Sequence, residues 1–97
     1  MSTTALIIGG DHVDRYKSFL HERGFASVTH WDGRRKSECH RQLPQTLDLI
    51  VIMVDQVSHG LLYKMRRQAD DRRLPVIYTQ RSVTQLAQAL DKLSVRH

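Results

Sequence analysis

The 97-residue chain has one cysteine, two prolines and an aromatic content of only 6%. A single cysteine excludes an internal disulfide and a zinc site built from several cysteines. The scarcity of aromatic residues predicts no row of stacking platforms for single-stranded nucleic acids. The longest apolar run covers residues 49–54, far short of the roughly 20 residues of a membrane-spanning helix. A membrane partner is therefore not expected.

The N-terminus also lacks the basic region and apolar stretch of a secretory signal. Together with the lone Cys39, this predicts a protein of the reducing cytoplasm. Hydrophobic residues make up 40% of the chain and charged residues 26%, which is an ordinary globular balance. With this length, the composition predicts one domain over residues 1–97.

Positive charge is in excess, with 15 lysines and arginines against 10 acidic residues and a net charge of +5. The basic residues cluster at 34–36, 64–67 and 72–73. Such a surface favours phosphate-bearing or carboxylate-bearing partners and leaves nucleic acid as one alternative. Solvated helix faces are the more common explanation for clusters of this kind.

Apolar runs predict four strands, at residues 5–8, 25–30, 47–54 and 74–79. A helix is predicted after each strand, the second being a polar helix over residues 35–42, with Asp11 and Ser58 as candidate N-caps and Ser82 to Gln85 as a capping box. In the third of these helices, the inner stripe is predicted to be Leu62, Met65 and Ala69.

Alternating strands and helices predict an α/β fold with a small parallel sheet and helices on both faces. Right-handed crossovers and two strongly apolar inner strands favour the order 2-1-3-4 of a flavodoxin-like or Rossmann-like sheet. The two open edges and the small core predict a homodimer.

In such sheets the ligand lies beyond the carboxyl ends of the strands, so the loops after the strands are the expected site. Three histidines occupy these loops, namely His12, His30 and His59. Neutral imidazole is the commonest metal ligand and an axial ligand of haem iron. The sequence therefore predicts haem or a divalent metal bound by His59, with His30 or His12 as second ligand. Local hydrogen bonding in turns is the plainer role for a histidine such as His12, and at His59 it is an equal alternative.

The Gly9-Gly10 pair after the first strand supports a second hypothesis. It allows close backbone approach to a ligand, and the following helix start offers N–H donors to an anion. The loop is neither a Walker loop nor a G-x-G-x-x-G dinucleotide motif, and a tight strand-to-helix turn is its plainer explanation. Arg34 and Arg81 are the candidate partners for phosphates or for haem propionates.

No arrangement of a nucleophile with its base and no acidic pair after the first strand is present, so catalysis is not expected. Cys39 beside His40 has no placed base or oxyanion site and is predicted to be a free buried thiol.

Four short motifs together resemble the domain-of-unknown-function family 2325, in the same order and over nearly the whole chain. They are Gly9-Gly10-Asp11-His12, His30-Trp31-Asp32-Gly33, Val54-Asp55-Gln56-Val57-Ser58-His59 and Arg81-Ser82. The resemblance implies a small bacterial Rossmann-like α/β domain. It implies little about function, but its motifs fall on the loops already selected.

The leading hypothesis is therefore a non-catalytic cofactor-binding or sensor domain that uses histidine. A nucleotide-binding or phosphorylated-metabolite-binding module at Gly9 and Gly10 is the alternative. A nucleic-acid-associated regulator that uses the basic helix around residues 64–73 is the third.

Overall fold

A computed structural model describes residues 3–32, 42–80 and 83–95 of the chain. Over these ranges the chain alternates strands and helices, as the sequence predicts. The strands are β1 (Thr4–Ile8), β2 (Ser27–Trp31), β3 (Leu49–Met53) and β4 (Val76–Thr79), and the helices are α1 (Asp14–Glu22), α2 (His59–Asp71) and α3 (Val83–Val95). A 3-10 turn at Val54–Gln56 follows β3.

The four strands form one parallel sheet in the order β2-β1-β3-β4. This confirms the predicted α/β class and strand order. Ile8 pairs with Trp31 on one side and with Ile52 on the other, so β1, β2 and β3 end at one level. The loops that follow these strands are thereby brought to a common edge of the sheet.

Side chains alternate between the two faces of the sheet, and each face carries its own core. Ala5 and Ile7 face α1 and α3, whereas Leu6 and Ile8 face α2. Every residue of β3 is buried, because this central strand is covered on both faces. Helices therefore pack on both faces, as expected.

Two sequence predictions about the helices are wrong in detail. Asp11 does not cap α1, since that helix begins at Asp14 with Val13 in the N-cap position. In α2 the fully buried leucine is Leu61, and Leu62 is only half-buried. The Ser58 cap is confirmed, since its hydroxyl accepts a hydrogen bond of 3.2 Å from the Leu61 amide.

Several other predictions lie outside the described residues and stay predictions. They are the helix at residues 35–42, the buried thiol of Cys39, the capping role of Ser82, and the positions of Arg34 and Arg81. None of the helices within the described ranges has the length and apolar character needed to cross a membrane.

Arg72, just after α2, ties the end of that helix to the chain that precedes β3. Its guanidinium donates hydrogen bonds to the carbonyl oxygens of Leu43 (3.1 Å) and Gln45 (2.9 Å). We expect Arg72→Ala to lower the free energy of unfolding by about 1–3 kcal/mol, because two charge-assisted hydrogen bonds are lost. The exposed Arg67 is the matched control, and Arg67→Ala should change it by less than about 0.5 kcal/mol. Urea unfolding of both variants would measure the difference. Equal losses of stability would show that the hydrogen bonds from Arg72 to Leu43 and Gln45 do not stabilise the fold.

Candidate functional site at the switch point of the sheet

A crevice of about 260 Å³ opens between the carboxyl ends of β1 and β3. The chain runs from β1 outward to β2 on one side, and then returns across β1 to β3 on the other. The crevice thus lies where the connection direction reverses, which is the usual ligand position in open α/β sheets. Its lining residues are Gly10, Asp11, His12, Val13, Tyr16, Met53 and Gln56.

Both positions of the first loop favour glycine, but the two glycines lie in different surroundings. Gly9 has φ +99°, and an added Cβ would lie 2.8 Å from Cγ1 of Val57. Gly9 is therefore packed beneath the loop after β3 rather than open to a ligand. Gly10 has φ +86° and lines the crevice itself. Of the two predicted glycines, only Gly10 presents its backbone to the crevice.

The N-terminus of α1 opens into the same crevice. Val13 occupies the N-cap position and no side chain caps the helix there. Valine is a poor N-cap because its side chain has no hydrogen-bond acceptor. Val13 therefore offers the first-turn amides no side-chain acceptor, and the partial positive charge of the helix end faces the crevice.

His30 is held by the backbone of the first loop. Its Nε2 lies 3.0 Å from the Gly9 carbonyl oxygen, and because a carbonyl only accepts, Nε2 must carry the donated proton. The Gly9 amide in turn donates to the carbonyl oxygen of Trp31 over 2.7 Å. Two hydrogen bonds thus join the ends of β1 and β2, and His30 has the local structural role that was its plainer explanation. Only Nδ1 of His30 remains as a ligand atom.

His12 and His59 are both exposed, but they occupy different places. His12 lines the crevice beside the start of α1. His59 is the first residue of α2, next to the Ser58 cap, and lies outside the crevice lining. The structure therefore joins Gly10 and His12 in one crevice and leaves His59 apart from it.

A metal centre was the leading expectation, so the arrangement of potential ligands matters. Within residues 3–32, 42–80 and 83–95, no group of three histidine, cysteine or acidic side chains is placed to hold a metal ion. Arg34 and Arg81, which were expected to support an anionic ligand, lie outside these ranges.

Met53 and Gln56 line the crevice but were not among the site residues predicted from the sequence. Met53 ends β3 with its side chain buried, and forms part of the crevice wall as well as part of the core. Gln56 lies in the 3-10 turn directly after β3. The position of Gln56 directly after a central strand is the sequence signal that could have identified it. In the predicted strand order, the loop after β3 faces the loop after β1.

Residues 4–93 match the model of a protein family described as an uncharacterized protein conserved in bacteria, domain of unknown function 2325. No curated protein matches the chain, and no solved structure matches it. The match spans almost the whole chain and includes all the loops at the carboxyl edge of the sheet, so the chain belongs to domain-of-unknown-function family 2325.

Proposed function

We propose that this domain binds a small phosphorylated metabolite in the crevice between β1 and β3, without catalysing its conversion. The observation that carries the proposal is the uncapped N-terminus of α1 facing a crevice at the switch point of the sheet. Helix N-termini bind phosphate through free amides and the helix dipole. Gly10 supports close approach, because a residue without Cβ lets the backbone reach the ligand.

The side chains around this helix end suit a ligand that is more than a bare phosphate. His12 adds an imidazole whose ring N–H can donate a hydrogen bond to a phosphate oxygen. Gln56 adds an amide, and Asp11 adds a carboxylate that favours hydroxyl or amino groups next to the phosphate. Val13 and Met53 supply apolar surface for the rest of the ligand.

The size of the crevice restricts the ligand further. Pockets for drug-sized ligands measure about 300–1,000 Å³, and this crevice measures about 260 Å³. It therefore suits a compact metabolite better than a haem macrocycle. Haem or metal binding through His12, His30 and His59 remains a hypothesis with less support, because His30 uses Nε2 on Gly9 and His59 lies outside the crevice.

The test compares His12→Ala with His59→Ala, two substitutions at exposed positions that the fold should tolerate. Adenosine monophosphate and inorganic phosphate are titrated by calorimetry, and a native mass spectrum of freshly purified protein identifies any ligand already bound. We expect His12→Ala to weaken binding of adenosine monophosphate about tenfold, since one hydrogen bond to a charged group is lost. His59→Ala should leave that binding unchanged.

Other results would contradict the proposal in distinct ways. If neither phosphate probe binds and neither raises the melting temperature, the crevice is not a phosphate site. If the protein carries haem or zinc, or binds added hemin or Zn²⁺, and His59→Ala abolishes that binding, the histidine hypothesis replaces ours.

The cytoplasmic location and the homodimer expected from the sequence belong to the same proposal. A reducing compartment suits a chain with one cysteine. Ligand binding in so small a domain would signal through a change at its surface or its dimer contact. Sedimentation with and without the phosphate probe would test this.

A further inference from the structure

Positive charge concentrates on α2 and the turn that follows it. Residues 59–73 contain five of the basic residues and two aspartates, a net charge of +3 within a chain of net charge +5. The basic residues are Lys64, Arg66, Arg67, Arg72 and Arg73. More than half of the excess charge therefore lies on α2 and the turn after it, on the face of the sheet opposite α1 and α3.

Three of these cations form no ion pair within the described residues. Lys64, Arg66 and Arg67 are exposed, and the single ion pair within the described ranges joins Arg23 and Asp91 elsewhere. Arg72, in contrast, is engaged by two carbonyl oxygens. The three free cations lie within four consecutive positions, so they form a compact outward patch about one helical turn long.

An aromatic side chain lies in the middle of this patch. Tyr63 is 64% exposed, the largest exposure among the large hydrophobic side chains of the described residues. Arg66 and Arg67 follow it by three and four positions, so they are its neighbours on the helix surface. The burial of Leu61, Met65 and Ala69 on the inner side turns Tyr63 outward. From the sequence, no row of stacking platforms was expected, because aromatic residues are scarce.

We propose that the outward face of α2, made of Tyr63, Lys64, Arg66 and Arg67, binds single-stranded nucleic acid. The cations contact backbone phosphates, and the ring of Tyr63 stacks on one base. A single strand fits better than a duplex, because only an unpaired base exposes its face to an aromatic side chain. A face that served solubility alone would have no need for an exposed ring at its centre.

This proposal does not depend on the crevice ligand. The crevice is lined by Val13 and Tyr16, whose side chains belong to the core on the α1 side of the sheet, whereas α2 packs on the other side. Either site can fail without the other. If both exist, the domain joins a small-molecule site and a nucleic-acid surface through one sheet.

The test uses two triple variants with equal charge. The first is Lys64→Gln, Arg66→Gln and Arg67→Gln on α2, and the second is Arg15→Gln, Lys17→Gln and Lys92→Gln on α1 and α3. Each lowers the formal net charge from +5 to +2, and glutamine has nearly the helix propensity of lysine and arginine. Binding to a fluorescein-labelled oligothymidylate is measured by anisotropy between about 50 and about 200 mM salt.

We expect the wild-type affinity to fall with salt at a logarithmic slope of about −2, from three phosphate contacts at about −0.7 each. The α2 triple should lose most of this slope and the control triple should keep it. Tyr63→Ala should weaken binding at least about fivefold and Tyr63→Phe should not, because the stacking surface is kept.

Four results would overturn the proposal. They are no binding by the wild-type protein at about 50 mM salt, equal losses in the two triples, stronger binding to a duplex of the same length, and an unchanged affinity in Tyr63→Ala. A change of oligomeric state in the α2 triple, seen by sedimentation, would instead assign this face to contact with a second copy of the chain.

Discussion

Gly9→Ala is expected to lower the free energy of unfolding by about 2–5 kcal/mol, from backbone strain and overpacking together. The backbone at Gly9 has φ +99°, which L-residues rarely adopt. The new methyl group would also lie 2.8 Å from Cγ1 of Val57 and 3.2 Å from the Cβ atoms of Gln56 and Met53. Two of these neighbours are Cβ atoms next to the backbone, so they cannot move without shifting the chain.

Gly24 provides a control that separates the two contributions. Its φ is +101°, almost the same as that of Gly9, but an added Cβ would meet no atom within 4 Å. Gly24→Ala should therefore carry the backbone strain alone, about 1–3 kcal/mol. The difference between the two variants measures the close packing of Gly9 beneath the loop after β3.

Urea unfolding followed by fluorescence is a direct measurement, because Trp31 is the single tryptophan and is buried. Equal losses in the two variants would mean that the loop after β3 yields at little cost, and that Gly9 is needed for its conformation only. A larger loss for Gly9 would show that the loops after β1 and β3 are locked together. Gln56, which lines the crevice, belongs to that locked segment.

The order of the strands could be predicted from the sequence for a physical reason. The apolar runs of β1 and β3 are continuous rather than alternating, which is typical of strands covered on both faces. Right-handed crossovers then leave few arrangements of four such units. β2, where exposed and partly buried residues alternate, takes an edge position as expected.

The details of the site could not be predicted in the same way. A loop position places a residue at the carboxyl edge of the sheet, but the backbone dihedrals decide where its side chain points. Two consecutive glycines at positive φ carry the chain away from β1, so that α1 begins only at Asp14. His30 was grouped with His12 and His59 only because all three follow strand ends at this edge. Its imidazole instead hydrogen-bonds to the Gly9 carbonyl oxygen. The spacing of the histidines in the sequence carries no information on that contact.

The rotation of α2 was ambiguous for a similar reason. Leu61 and Leu62 are adjacent, and both positions extend a helical stripe through Met65 and Ala69, as i, i+4, i+8 or as i, i+3, i+7. Periodicity alone does not choose between them. Packing against Ile50 and Ile52 of the sheet selects Leu61, which is fully buried, and leaves Leu62 at the margin of the core. The same rotation turns Tyr63 toward solvent.

Leu61→Ala and Leu62→Ala test this rotation directly, since the chemical change is the same at neighbouring positions. We expect Leu61→Ala to lower the free energy of unfolding by about 2–5 kcal/mol, because it leaves a cavity in a closed core. Leu62→Ala should lower it by about 1 kcal/mol, because water can reach that site and only part of the side chain is buried. Urea unfolding measures both variants. The reverse order of effects would restore the stripe predicted from the sequence and would rotate the helix by about 30°.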